Sequence, residues 1–263
     1  MLDDNQHKIL KDNRIKQILG LLKQNGEVQI NNLCKLFGVT EITIRRDLDD
    51  LANKNLLIRT HGGAVLADED VLVEMPLDKR YITNTSIKES IAKEAFKLIS
   101  NGMKIVLDSG STTFFLAQMI PNSYRLAALT NGLNIAFELN SRANIDVSII
   151  GGNLSKNTFS CIGEFSIEMI QRHCVDVAFI GASGISREGN IYTAHSAQAA
   201  VKKSMLQIAQ TRVLLTDSTK FAKPDYALIA NASELDYVIT DSKAPSDIIA
   251  DMRMAGTKII IVE

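Results

Sequence analysis

Only three cysteines occur in 263 residues, Cys34, Cys161 and Cys174, an odd number with no short paired spacing. That excludes a disulfide framework and a paired-cysteine metal motif, and points to reduced thiols in the cytoplasm. The four histidines, His7, His61, His173 and His195, are scattered without metal-ligand spacing, so neither a metal nor a cofactor is expected. No apolar run approaches the roughly 20 residues of a membrane span. The opening residues Met1-Leu-Asp-Asp-Asn-Gln-His lack a signal-peptide core. These features predict a soluble cytoplasmic chain with no membrane partner. An excess of one charge is missing too: 29 Lys and Arg against 30 Asp and Glu leave a net charge of −1. Any polyanion must therefore be met by a local patch.

What is present is an ordinary globular composition, 46% hydrophobic and 22% charged, which excludes a disordered chain. The length suits one small and one mid-sized domain. The divisions expected are an N-terminal extension at 1–13, a small domain at 14–66, a linker at 67–80 and a larger α/β domain at 81–263.

The small domain carries two helices joined by a glycine turn. From about Lys11 to Asn25, Ile15, Ile18, Leu19 and Leu22 recur at helical spacing. A short Val28-Gln29-Ile30 segment follows, and Asn31 or Asn32 can cap a second helix ending at Phe37. After Gly38-Val39, Thr40 caps a third helix running to about Asn53, with Ile44, Leu48 and Leu51 on one face. Leu56 to Arg59 and Ala64 to Leu66, about Thr60-His61-Gly62-Gly63, read as a β-wing. The pattern predicts a winged helix-turn-helix.

At about 100° per residue, Ile42 and Arg46 point opposite the apolar face of the third helix, flanked by Thr43 and Arg45. An isoleucine aimed at water there suits a thymine methyl in the major groove. Arg46 is assigned to the groove. Arg45 is assigned to phosphate, within i,i+4 reach of Glu41. The backbone amides beside Thr40 can face a phosphate, and Arg59 and His61 sit where a wing meets the DNA backbone or minor groove. The bland alternative is a three-helix subdomain with a solvated arginine face.

In the larger domain seven short apolar runs alternate with helical stretches: 105–107, 126–129, 147–150, 177–180, 213–215, 237–239 and 259–262. They predict a mostly parallel sheet covered by helices. Asp108-Ser109-Gly110-Ser111-Thr112-Thr113 follows one strand and opens a helix, offering amides, hydroxyls and a helix dipole to an anion. No Gly-Lys-Ser/Thr ends it, so it is not a Walker loop. Further strand-end clusters are Thr130-Asn131-Gly132, Gly151-Gly152-Asn153, Gly181-Ala182-Ser183-Gly184 and Asp217-Ser218-Thr219-Lys220, with Lys202 and Lys203 expected at a helix start. Ligands of parallel sheets bind at such carboxyl ends. An ordinary capped β–α turn is the alternative.

Val39-Thr40-Glu41-Ile42-Thr43-Ile44-Arg45-Arg46-Asp47-Leu48, preceded by Arg14 and followed by Arg59-Thr60-His61-Gly62-Gly63-Ala64, resembles the head motif of DeoR-type regulators. The resemblance continues through Glu74, Pro76, Arg80, Asn84, Lys88 and Ile91-Ala92. It then covers the 108–113 block, Thr130-Asn131, Gly151-Gly152, Asp176 to Gly181, Lys202 and Asp217 to Phe221, nearly the whole chain from Arg14. It implies a sensor domain similar to ribose-5-phosphate isomerase and coenzyme A transferases, with phosphorylated sugars or polyols as effectors.

One departure is Ser196-Ala197-Gln198-Ala199-Ala200-Val201, where many relatives carry an acidic residue shortly before the lysine placed at Lys202. The function implied is a repressor of a carbohydrate catabolic operon. It binds double-stranded operator DNA as a homodimer or homotetramer and is relieved by its effector. An isomerase-like enzyme with an accessory head is the alternative from another class, disfavoured because Asp108 and Asp217 lack an evident activated base. An activator uses the same head and pocket, and sequence does not separate the two signs of control.

Overall fold

The structure, a computed structural model, describes residues 4–53, 57–60, 62–66, 77–155 and 157–263. Two compact units emerge, Met1–Val73 and Glu74–Glu263.

The first unit contains helix α1 (Asp4–Asn25), strand β1 (Glu27–Gln29), helices α2 (Ile30–Phe37) and α3 (Glu41–Asn53), and strands β2 (Leu57–Arg59) and β3 (Gly63–Leu66). Its core joins Ile18 and Leu22 of α1, Leu33 of α2, and Ile44, Leu48 and Leu51 of α3. All but Leu33 are residues whose helical spacing marks buried faces in the sequence. Gly38 ends α2 in the left-handed conformation (φ 63°), its N–H bonded to the Cys34 carbonyl, a glycine C-cap. The α2 N-cap is Gln29, two residues ahead of Asn31 and three ahead of Asn32, the expected caps, with no side-chain cap bond.

The wing hairpin does not stand alone. β3 pairs antiparallel with β2 and also with β1, giving the order β1-β3-β2. α1 begins at Asp4, so the boundary expected at residue 14 falls inside a helix. The polar run ahead of it has no apolar period to reveal this. Of the expected linker, 67–76 lie outside the described residues, and 77–80 belong to a helix.

That helix, α4 (Leu77–Ile82), opens the second unit. α5 (Thr85–Phe96), β4 (Lys104–Leu107), α6 (Ser111–Met119), β5 (Leu126–Thr130), α7 (Leu133–Asn140), β6 (Ile145–Ile149), β7 (Asn153–Ser155), β8 (Ser160–Ile162) and α8 (Glu164–Gln171) follow. The unit continues with β9 (Val175–Gly181), β10 (Gly184–Ile185), β11 (Asn190–Thr193), α9 (Ser196–Gln207), β12 (Ala209–Leu215), β13 (Ala227–Asn231), β14 (Tyr237–Asp241), α10 (Ser246–Met254) and β15 (Lys258–Val262). Seven strands form one parallel sheet in the order β15-β14-β12-β9-β4-β5-β6. They are the seven apolar runs of the sequence.

Alternate residues of each strand enter opposite cores. Val106, Ala178, Ile180 and Leu214 pack with α8, α9 and α10. Ile105, Leu107, Val177, Phe179 and Val213 pack with α5, α6 and α7. Both faces are buried, which is why the strands read as unbroken apolar runs. From the central pair β4 and β9 the chain order runs outward in opposite directions, making their carboxyl ends the switch point where ligands of such sheets bind. The sequence does not reveal the small antiparallel sheet β10-β11-β13 or the β7-β8 hairpin.

Candidate recognition helix and strand-end site

α3 presents two opposite faces. Ile44 is 0% exposed, whereas Ile42 is 65% exposed. Thr40 begins the helix: its carbonyl accepts from the Thr43 and Ile44 amides, and its Oγ1 lies 3.4 Å from the Thr43 nitrogen. Amides of the first turn have no intrahelical acceptor and face outward with the positive dipole end.

Each acidic residue of α3 is held by a basic partner. Glu41 Oε1 accepts from Arg45 at 2.6 and 2.9 Å. Asp47 Oδ2 accepts from Arg14 Nε at 2.6 Å, Asp49 from Arg59 Nε at 2.8 Å, and Asp50 from Lys11 at 2.6 Å. Arg46 is exposed and, among the described residues, has no hydrogen bond or ion pair. It is the one basic residue of α3 left uncommitted.

Arg59, expected at the DNA backbone or minor groove, ties the wing to α3 and to its own turn, where Nη1 donates to the Gly63 carbonyl at 2.6 Å. Thr43 stands beside Arg46 on the outer side, within 3.0 Å of the Thr40 hydroxyl. His61 lies outside the described residues.

In the second unit Asp108, at the end of β4, is the hub. It is 1% exposed. Oδ1 accepts from the Gly110 amide at 2.8 Å and the Thr113 hydroxyl at 2.9 Å. Oδ2 accepts from the Gly181 amide at 2.9 Å and from Lys202, whose Nζ also reaches the Gly181 carbonyl at 3.1 Å. Asp108 therefore braces β4, the loop at 109–110 that opens α6 (here the cradle loop), β9 and α9 together. α9 starts at Ser196, so Lys202 sits in its second turn rather than at a helix start.

The Thr113 hydroxyl is consumed by Asp108 and the Gly110 carbonyl. Ser109, Ser111 and Thr112 line the helix start without a side-chain cap bond at Gly110. Thr130 Oγ1 accepts from the Gly132 amide at 3.1 Å, and Asn131 Nδ2 donates to the Cys161 carbonyl at 3.0 Å. Gly151 and Gly152 are exposed after β6, where Ser166 donates to the Gly151 carbonyl at 2.7 Å.

After β12, Asp217 Oδ1 accepts from the Thr219 amide at 3.0 Å and from Asn84 at 3.4 Å. Lys88, 5% exposed, donates to the Thr83 carbonyl at 2.7 Å and to the Arg80 carbonyl. Burial lowers its ammonium from 10.5 to about 8; Asp217 pulls it back up, and Lys220 and Arg80 push it down. Asp217, Lys220 and Arg80 thus all act on the Lys88 ammonium, one carboxylate and two cations. Arg80, Asn84 and Lys88 carry no pocket signal in the sequence beyond the family resemblance. Asp241, which accepts from the Ser218 amide at 2.6 Å, was legible in the Thr-Asp-Ser shared by two strand ends, 216–218 and 240–242.

Residues 83–242 match the family described as DeoR C terminal sensor domain, and residues 14–70 the DeoR-like helix-turn-helix domain. The chain belongs to the DeoR family. Among its DeoR-family relatives is the glycerol-3-phosphate regulon repressor of Escherichia coli (strain K12), 32% identical over 87% of this chain and 90% of that protein. Another is the HTH-type transcriptional regulator GolR of Listeria innocua, 32% identical over 95% of this chain and 98% of that protein. A third is the HTH-type transcriptional repressor GlcR of Bacillus subtilis, 31% identical over 96% and 97%. All three are named as transcriptional regulators or repressors, in keeping with the DeoR-like helix-turn-helix domain of this chain.

Among solved structures, ribose 5-phosphate isomerase A of Methanocaldococcus jannaschii aligns with TM-score 0.40 and 20% identity over 53% of this chain. The chain spans about half of that protein, 55%, and no chemistry follows from a likeness of that size. Among the described residues no helix is long and apolar enough to cross a membrane, and no cluster of three metal-ligating side chains occurs.

Proposed function

We propose that the chain represses a carbohydrate catabolic operon by laying α3 in the major groove of its operator, and is relieved by a phosphorylated sugar or polyol. The observation that carries this is the charge arrangement of α3, where every carboxylate is neutralised and Arg46 remains free beside an exposed Ile42. Arg46, Ile42, Thr43 and Glu41 then select sequence. Arg45, the amides beside Thr40, and the wing with His61 supply phosphate contacts. Arg59 fixes the wing's position against α3.

The effector occupies the carboxyl end of the sheet. Its phosphate sits at the helix start formed by Ser109 to Thr112, and its charge is balanced by Lys88 and by Lys220 and Arg80, whose charges act on Lys88. Asn131, Gly151, Gly152 and Gly181 line the remainder. Asp108, Thr113, Thr130 and Lys202 hold that end in shape. Names of relatives such as the glycerol-3-phosphate regulon repressor support this ligand class. A homodimer or homotetramer presents paired heads to repeated half-sites, and effector binding favours a state with lower operator affinity.

The test is a gel-shift on the promoter of the protein's own or adjacent genes against random duplex, with a panel of glycerol 3-phosphate and hexose phosphates. Selective binding released by one of the panel is expected; no preference for the promoter sinks the proposal.

A further inference from the structure

The cradle loop and the turn after β5 touch. A Cβ built on Gly132 would lie 2.9 Å from Ser109 Cα and 3.0 Å from Asn134 Oδ1, so Gly132, Ser109 and the Asn134 amide form one contact. Asn134 Oδ1 is buried and has no hydrogen-bond partner, a costly state for an acceptor. Its Nδ2 donates to the Tyr81 hydroxyl of α4. The Tyr81 ring packs against Phe114, centroids 4.9 Å apart, and edge-on to Phe115 at 6.4 Å. Both phenylalanines belong to α6, the helix the cradle loop opens. Tyr81 is therefore touched by the two helices, α6 and α7, whose first turns stand at the carboxyl end of the sheet.

The rest of this stretch is fastened to the same end. Asn84, left-handed at φ 53°, donates to Asp217, and Lys88 holds the Arg80 and Thr83 carbonyls. A non-glycine residue persists in that conformation when its surroundings hold it there. α4 is also the first described element after residues 67–76, so along the chain it is where the DNA-binding unit leads into the sensor.

We propose that Tyr81 is the positioning residue that couples occupancy of the strand-end cradle to α4, with Asn134 relaying shifts of the cradle loop to its hydroxyl. This rests on the sugar-phosphate reading of the cradle. A ligand that draws Ser109 and Gly132 together or apart displaces the Asn134 amide, and α6 moves the ring at the same time. Two inputs converge on one side chain.

Five tyrosines, Tyr81, Tyr124, Tyr192, Tyr226 and Tyr237, and no tryptophan allow the test by fluorine NMR of fluorotyrosine-labelled full chain. The Tyr81 resonance is assigned by its loss in Tyr81→Phe. Glycerol 3-phosphate and hexose 6-phosphates are titrated with thermal shift in parallel.

The expected result is that a ligand raising the melting temperature shifts the Tyr81 resonance and leaves that of exposed Tyr226 in place. Tyr81→Phe then keeps ligand affinity within about threefold, while ligand-induced release from operator DNA falls at least tenfold. Asn134→Leu behaves likewise. A stabilising ligand that leaves the Tyr81 resonance unmoved, normal release in Tyr81→Phe, or a tenfold loss of its ligand affinity overturns this inference alone. No stabilisation by any sugar phosphate removes the sugar-phosphate reading itself, and this inference with it.

Discussion

Arg14 of α1 donates to Asp47 of α3 over 2.6 Å, the two side chains being 14% and 3% exposed. The pair joins the helix that precedes the helix-turn-helix to the one proposed to enter the groove, and so fixes the angle at which α3 is presented. Removing one partner of a nearly buried pair strands the other charge. Arg14→Met is expected to destabilise the first unit by about 3 kcal/mol, read as faster hydrogen exchange of α1 and α3 amides. Arg14→Met with Asp47→Leu recovers much of that loss. A double variant as unstable as the single one would show that packing, not charge, sets the cost.

Arg45 and Arg46 separate by commitment. Arg45 is oriented by Glu41 through Nε and Nη2, while Arg46 is free. Arg46→Ala is expected to lower operator-over-random discrimination by about 1–3 kcal/mol, roughly five- to 150-fold. Arg45→Ala weakens both DNAs alike and reduces the salt slope of log K by about one. Fluorescence anisotropy on the two duplexes at several salt concentrations checks both, and equal losses on both duplexes in Arg46→Ala refute the division.

Asp108 uses both oxygens on different elements, Oδ1 on the cradle loop and Oδ2 on Gly181 and Lys202. Asparagine keeps a single acceptor oxygen, so Asp108→Asn must abandon one side. It also leaves the Lys202 ammonium without its carboxylate. The expected outcome is a lower melting temperature and at least a tenfold weaker sugar-phosphate affinity, measured by thermal shift and calorimetry. Unchanged affinity would place the ligand elsewhere.

Lys88 sets a pH signature. Its folded-state value, about 8, lies below its ordinary 10.5. Between those values the unfolded chain binds more protons, so the Lys88 contribution to stability rises with pH across that window and is least favourable below about 8. Relative to Lys88→Met, wild type is expected to gain on the order of 2 kcal/mol from pH 8 to pH 10, by urea unfolding at each pH. A bound phosphate dianion favours the charged ammonium, so ligand affinity falls as pH rises past about 8. A flat difference between the two proteins across this range would contradict the assignment.

Legibility followed burial. The inner strands of the parallel sheet are covered on both faces, and continuous apolar runs such as Val177 to Ile180 announce them. Helix α3 announces itself through Ile44, Leu48 and Leu51. β11 and β13 do not: they are short, partly polar, and pair across the whole of α9 and β12, a separation that no local pattern encodes. At the site the loops were visible because glycines and hydroxyls cluster at strand ends. The division of labour within them was not. Asp108 is spent on bracing because four donors converge on it, and Lys88 enters because α5 folds back beside Asp217. Both facts belong to tertiary packing. Arg59 is similar, since its partner Asp49 lies ten residues earlier on another element.

Gly63 sits where a side chain on β3 would overlap the Val28 carbonyl oxygen of β1. The hairpin is thereby stitched to the strand that precedes the helix-turn-helix, and Arg59 stitches its other strand to α3. The hairpin and the helix proposed to read the duplex cannot be set independently. With α3 in that proposed role, changes of preferred DNA word come by exchanging side chains at the tip of a fixed tool rather than by re-aiming it.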